Sequence, residues 1–159
     1  LPEFPTTLDT MRYHLAVAQY TRQGLKGKHW SLVAVTRGRP HVEVYQLVGN
    51  TDTYKFDTKT VDLLRSASLC GGFEVGEIDG AHLDWLKETL SKIEIIKNDP
   101  NWHCQSWVID AIRELRQPEH SDKVTIKPDI TVRKIHAELA ADEERWETGE
   151  SNYFEDLIG

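Results

Sequence analysis

Apolar and polar residues alternate along the first half of the chain, and the spacing changes to threes and fours further on. Met11 to Tyr20 (MRYHLAVAQY) reads as a strand with one buried face. Thr21 to Lys28 is polar and contains glycine, so it reads as a loop, and His29 to Val35 (HWSLVAV) resumes as a second strand. Thr36 to Pro40 (TRGRP) has turn chemistry, and Val42 to Val48 (VEVYQLV) returns beside the second strand as a hairpin. Shorter strands are expected near Tyr54–Phe56, Thr60–Arg65 and Phe73–Ile78.

Asp79 then suits the N-cap of a helix carrying Leu83, Leu86, Leu90, Ile93 and Ile96 on one face. Asn98-Asp99-Pro100 stops that helix and starts another, which reaches about Arg116 with Trp107, Val108, Ala111, Ile112 and Leu115 as its apolar side. Pro128 opens a last helix to about Trp146. Strands followed by helices imply an α+β fold, an antiparallel β-sheet packed against helices. Residues 11–147 read as a single domain. Residues 1–10, ahead of Met11, read as a leader or vector remnant. Residues 148–159 form an acidic tail whose Tyr153, Phe154, Leu157 and Ile158 are able to dock on the domain.

Composition narrows the choice of partner. The net charge of −7, with no basic stripe anywhere, argues against nucleic acid and against an anionic membrane surface. No apolar run approaches the ~18–20 residues of a membrane span, and no basic-then-apolar signal pattern opens the chain. The two cysteines, Cys70 and Cys104, stand in very different settings. They read as free thiols in a reducing, cytoplasmic compartment. The expected partner is a small-molecule or peptide substrate; no cofactor motif occurs, and the oligomeric state is not encoded in any pattern.

The segment NDPNWHCQSWVIDAI carries the most chemistry. With Asp99 or Asn101 as cap and Pro100 in the first turn, Cys104 falls within the first turn or so of its helix. Unpaired backbone N–H groups and the positive end of the helix dipole favour a thiolate there, and the thiolate is the nucleophile. Cys104 shares a face with Trp107, Val108 and Ala111, so it points towards the sheet. The alternative is that it serves as a small buried hydrophobe, as most free cysteines do. Cys70, in SLCGG, reads as structural and without polar neighbours.

A nucleophilic thiol needs an imidazole partner, itself oriented by a third polar group. His29, at the start of the second strand, is the candidate base. A hairpin turning near Gly38 places residues whose numbers sum to about 76 opposite each other. His41 then lies roughly 20 Å from His29, at the rise of a strand. Gln46 comes opposite Trp30, where a one-residue offset brings it beside His29, and Tyr45 falls opposite Ser31 as the backup. A Gln carbonyl accepts from an imidazole N–H and sets its tautomer, so Gln46 is chosen over His41. His103, one helical step from Cys104, points some 100° away and is a poor base, though it can line a substrate groove. Trp30, Trp102 and Trp107 are the aromatic candidates for its walls, with Tyr45 a further substrate-binding candidate, although Trp107 also reads as core. No Cys-x-x-Cys or His-Glu-x-x-His spacing supports a metal site.

Together, His-Trp-Ser-Leu from residue 29, Tyr-Gln-Leu-Val-Gly from residue 45 and Trp-His-Cys-Gln-Ser-Trp-Val from residue 102 resemble the permuted papain-like thiol hydrolases and acyltransferases. That superfamily includes the NlpC-like peptidases and the lecithin:retinol acyltransferase relatives, and the motifs are most similar to those of uncharacterised fungal members. The likeness covers about residues 11 to 116. It implies a permuted papain-like fold in which His29 is the base, Cys104 the nucleophile, and Gln46 stands where the family has a second His. His103 replaces the Asn that commonly precedes the Cys. The expected activity is a thiol-dependent hydrolysis or acyl transfer on an amide or ester. The alternatives are a non-acyl enzyme, an isomerase or cyclase of a small metabolite on the same scaffold, or a catalytically inactive binding module.

Overall fold

The computed structural model describes residues 11–159; the leader or remnant expected at residues 1–10 lies outside them. Six strands form one antiparallel sheet: β1 (Arg12–Thr21), β2 (Lys28–Val35), β3 (His41–Val48), β4 (Lys55–Asp62), β5 (Leu69–Asp79) and β6 (Val124–Ile126). Their order across the sheet is β4-β3-β2-β1-β5-β6, and every neighbouring pair is antiparallel. Four helices, α1 (Leu83–Ser91), α2 (Cys104–Leu115), α3 (Val132–Thr148) and α4 (Tyr153–Ile158), complete an α+β fold. Among the described residues no helix is long and apolar enough to cross a membrane.

Alternation along the strands produces two buried faces instead of one. Leu15 and Val17 of β1, Trp30, Leu32 and Ala34 of β2, and Tyr45 and Leu47 of β3 pack with Trp107, Val108 and Ala111 of α2. Ala16, Ala18, Val33, Val35, Val42 and Val44, on the other face, are covered by Phe154, Leu157 and Ile158 of α4. The acidic tail therefore becomes a lid over apolar surface, as its four apolar residues allow. Gly72 makes this possible: a Cβ there would stand 2.4 Å from the Phe154 ring. Asp142 of α3, only 1% exposed, clasps the arrangement by accepting from the backbone N–H of Gly72 (2.8 Å) and of Tyr153 (3.1 Å).

Several expected boundaries move, each for a local reason. The two short strands expected near residues 54–56 and 60–65 are one continuous strand, β4, because the polar residues between them pair fully with β3. Asp79 makes no side-chain cap. The strand runs through it into a 3₁₀ turn, and α1 begins at Leu83 and ends at Ser91, leaving Ile93 and Ile96 packed on the core from non-helical backbone. The second helix starts at Cys104, not at Pro100. Asp99 closes a separate turn, accepting from Asn101 N–H at 2.9 Å, and His103 is the cap. Thr131, not the segment at Pro128, caps α3, and the short β6 precedes it.

Candidate active site

Strands β2 and β3 pair only at Leu32–Ala34 with Glu43–Tyr45. Ahead of that ladder the edge of β2 is left open, and the first turn of α2 meets it. In a strand the C=O of one residue and the N–H two residues on point to the same edge. Lys28 C=O accepts from Gln105 Nε2 at 3.0 Å and lies 3.9 Å from Cys104 Sγ, and Trp30 N–H donates to the same sulfur. Cys104 is thus the first residue of its helix, seated on backbone groups that β3 would otherwise have taken. His103 secures that start: its Nδ1 accepts from Gln105 N–H at 3.3 Å, while its own N–H donates to Ser106 Oγ at 3.2 Å.

His29 lies between this sulfur and a short polar chain across the sheet. Its Nε2 is 2.7 Å from Gln46 Oε1, and Gln46 Nε2 donates to Asp57 Oδ2 at 3.0 Å. Gln46 and Asp57 are direct partners in the β3–β4 ladder. The Asp57 carboxylate can only accept, so it fixes the amide with its oxygen towards the imidazole. Nε2 then carries the hydrogen, and Nδ1 is the ring nitrogen left free to accept. Tyr20 packs beside the imidazole with ring centroids 5.5 Å apart and is held by Ser31 Oγ at 3.0 Å.

The two reactive groups shift each other in complementary directions. Burial pushes the Cys104 thiol up, but the hydrogen bond with His29, the Trp30 N–H and the nearby imidazolium charge outweigh it, and the thiol titrates below its ordinary value. Burial alone would lower His29; hydrogen bonding to Cys104 and then to Gln46 reverses this, and the imidazole titrates above its ordinary value. Both shifts favour a thiolate–imidazolium pair. Arg22, in the loop between β1 and β2, adds a positive charge felt by Cys104, His29, His103 and Tyr54. It has no ion-pair partner among the described residues.

The chain matches the model of a family of unknown function (DUF6540) over residues 15–120. It belongs to this family. No curated protein and no solved structure matches it. The DUF6540 region begins within β1, holds β2 to β5, α1 and α2, and with them His29, Gln46, Asp57 and Cys104; β6, α3 and α4 follow it.

Within that region the residues singled out from sequence part company. Cys104, His29 and Gln46 come together. Tyr45 does not: residues of β2 and β3 that face each other sum to 77, so Tyr45 pairs with Leu32 and points into the core beneath α2, 2% exposed. A shift of one residue exchanges the two faces of a strand, which is why Gln46 and not Tyr45 shares the face of His29. Trp30 is also core, 1% exposed, with Nε1 donating to Gln19 Oε1 at 3.1 Å. Trp102 is buried beside Tyr54 and donates to Asp110 at 3.1 Å, and His103 caps the helix from an exposed position. Trp102, His103 and Tyr54 border a separate recess of about 280 Å³ next to the helix start. His41 is exposed at the distant end of β3. Asp57 and Arg22 went unnoticed in the sequence; the alternation of β4, with Asp57 one residue after Phe56, was the available signal for the first.

A larger groove, about 460 Å³, opens on the sheet face that His29 and Gln46 share. Tyr20, Val44, Val61 and Leu63 form its apolar surface. Cys104, 8% exposed, does not line it, so His29 is the group that connects thiol and groove.

Proposed function

We propose that this protein is a cysteine hydrolase or acyltransferase acting on an amide or ester, built as a permuted papain-like domain in which the histidine strand precedes the cysteine helix. The observation that carries the reading is the hydrogen-bonded line His29–Gln46–Asp57 beside a thiol that opens a helix, whose pKa the neighbouring imidazole holds down. Gln46 and Asp57 are positioning residues. Asp57 holds the amide, and the amide holds the imidazole tautomer that aims Nδ1 at the thiol.

The Cys104 thiolate attacks the substrate carbonyl carbon, forming a C–S bond while the C=O electrons move onto oxygen. The free Cys104 backbone N–H, at the first position of α2, faces the developing oxyanion, and the unpaired Arg22 charge stabilises it at longer range. The tetrahedral intermediate collapses with cleavage of the bond to the leaving amine or alkoxide, which takes the proton from His29 Nδ1. An acyl-enzyme remains. Water, or an amine or alcohol acceptor, then loses its proton to His29 as it attacks the thioester carbonyl, and the thiolate is released.

Incubation with 4-nitrophenyl acetate followed by intact-mass and peptide mass spectrometry tests this reading. An acetyl group on Cys104, absent from Cys104→Ser and strongly slowed in His29→Ala, is expected. Acetylation that is absent, or that falls on Cys70 and lysines at rates independent of His29, would rule it out.

A further inference from the structure

The groove beside His29 has features that the proposed chemistry does not use. Its floor is aliphatic, made by Val44, Val61 and the fully buried Leu63, and Tyr20 closes the end next to the imidazole. Its charged lining residues are Lys59, Asp62 and Arg65. Asp62 lies 3.6 Å from Arg65, so these two offset each other, while Lys59 makes no ion pair among the described residues. Lys59 therefore borders an apolar groove without an ion-pair partner among those residues, at the end away from the His29 imidazole, on a protein whose net charge is −7. Lys59 pairs with Val44 across the β3–β4 ladder and stands two residues along β4 from Asp57, roughly 7 Å from it at the rise of a strand.

We propose that this groove is the acyl subsite and that it takes a short unbranched aliphatic acyl group ending in a single carboxylate, with the reacting carbonyl at His29 and the distal carboxylate on Lys59. The proposal rests on the thiol-enzyme reading for the identity of the reacting end, but binding to the groove does not require the thiol. An aliphatic chain suits Val44, Val61 and Leu63, which offer no hydrogen-bond donors from their side chains. A neutral acyl chain would leave Lys59 without a partner, and a dianionic terminus would meet Asp62.

The test uses two isosteric six-carbon probes, adipamic acid (an amide at one end and a carboxylate at the other) and neutral adipamide. Both are titrated into the full-length Cys104→Ser protein and followed by the NMR signals of the His29 imidazole and the Val44, Val61 and Leu63 methyl groups. Adipamic acid is expected to shift these signals with an affinity about two- to fivefold above adipamide, as suits a solvent-accessible charged contact. Lys59→Gln should bring the two probes level, while Arg65→Gln should change the preference much less. Equal affinity of the two probes for the parent protein, shifts confined to residues outside the groove, no shift at all, or a preference that survives Lys59→Gln would each overturn the proposal. Because the nucleophile is absent here, such an outcome leaves the acetylation experiment on Cys104 to decide the thiol chemistry by itself.

Discussion

The two cysteines of this chain are buried almost equally, Cys104 at 8% exposure and Cys70 at 9%, yet their surroundings push them in opposite directions. Cys70 sits where β5 slips register against β1, beyond Gln19. Burial raises its thiol, and Glu143 raises it further; Lys28 and the Gln19 amide, 3.9 Å away, pull the other way without overcoming them. Lys28 is itself drawn to Glu143 at 2.8 Å, so much of its charge is already answered. Cys104 meets the same desolvation but receives an imidazole, a backbone N–H and a helix start. Burial does not decide thiol reactivity; the donors aimed at the sulfur do.

That contrast can be broken most sharply at His29. His29→Ala should slow iodoacetamide labelling of Cys104 roughly tenfold at neutral pH, because the thiolate fraction falls back to that of a buried thiol, and should leave Cys70 unchanged. Peptide-resolved mass spectrometry reads both sites in one sample. Next in size is the line behind the imidazole. Gln46→Ala frees the ring and should slow Cys104 by about three- to fivefold, and Asp57→Asn by less, since an amide still reaches Gln46. On the other side of the comparison, Glu143→Gln removes a negative charge near Cys70 and should speed its labelling about twofold, with desolvation still holding it back.

Stability should separate the pair as well. Cys70→Ser is expected to cost about 1–2 kcal/mol in urea unfolding, since the hydroxyl enters a site made for a softer atom. Cys104→Ser should cost less than about 1 kcal/mol, because Lys28 C=O and Trp30 N–H stand ready as partners. The pH dependences run in opposite senses. The raised folded pKa of Cys70 gives stability that is complete below the ordinary thiol value and is lost as pH rises through the folded one. The lowered folded pKa of Cys104 gives stability that is present above the ordinary value and is lost as pH falls through the folded one. For His29, raised like Cys70, the contribution is complete below about pH 6.5 and lost as pH rises past its folded value.

The sequence made the first three strands, the hairpin and the importance of Cys104 legible because each rests on local periodicity or on a helix start. Counting along the hairpin was enough to reject His41 and prefer Gln46. It was not enough to place Tyr45. The turn closes with Arg39 N–H donating to Thr36 C=O and Gly38 at φ 76°, and this moved the register sum from 76 to 77 and turned Tyr45 into the core. Asp57 escaped notice because its strand is half-buried and polar. Only its pairing with Gln46 gives it meaning, and that pairing is a long-range property of the sheet. The cap of α2 departs from the local pattern for a similar reason: Asp99 and Pro100 have the chemistry of a helix start but are spent on a separate turn, which leaves His103 to cap.

The central claim is that His29 holds Cys104 as a nucleophilic thiolate, and the pH profile of alkylation in the unmodified protein tests it most directly. Iodoacetamide labelling rates for Cys104 and Cys70 are measured side by side from about pH 5 to 10, spanning the ordinary thiol value near 8.5. The account predicts a Cys104 profile that rises below that value and a Cys70 profile that rises above it. Two superimposed profiles, or a Cys104 profile at or above the ordinary thiol value, would contradict it.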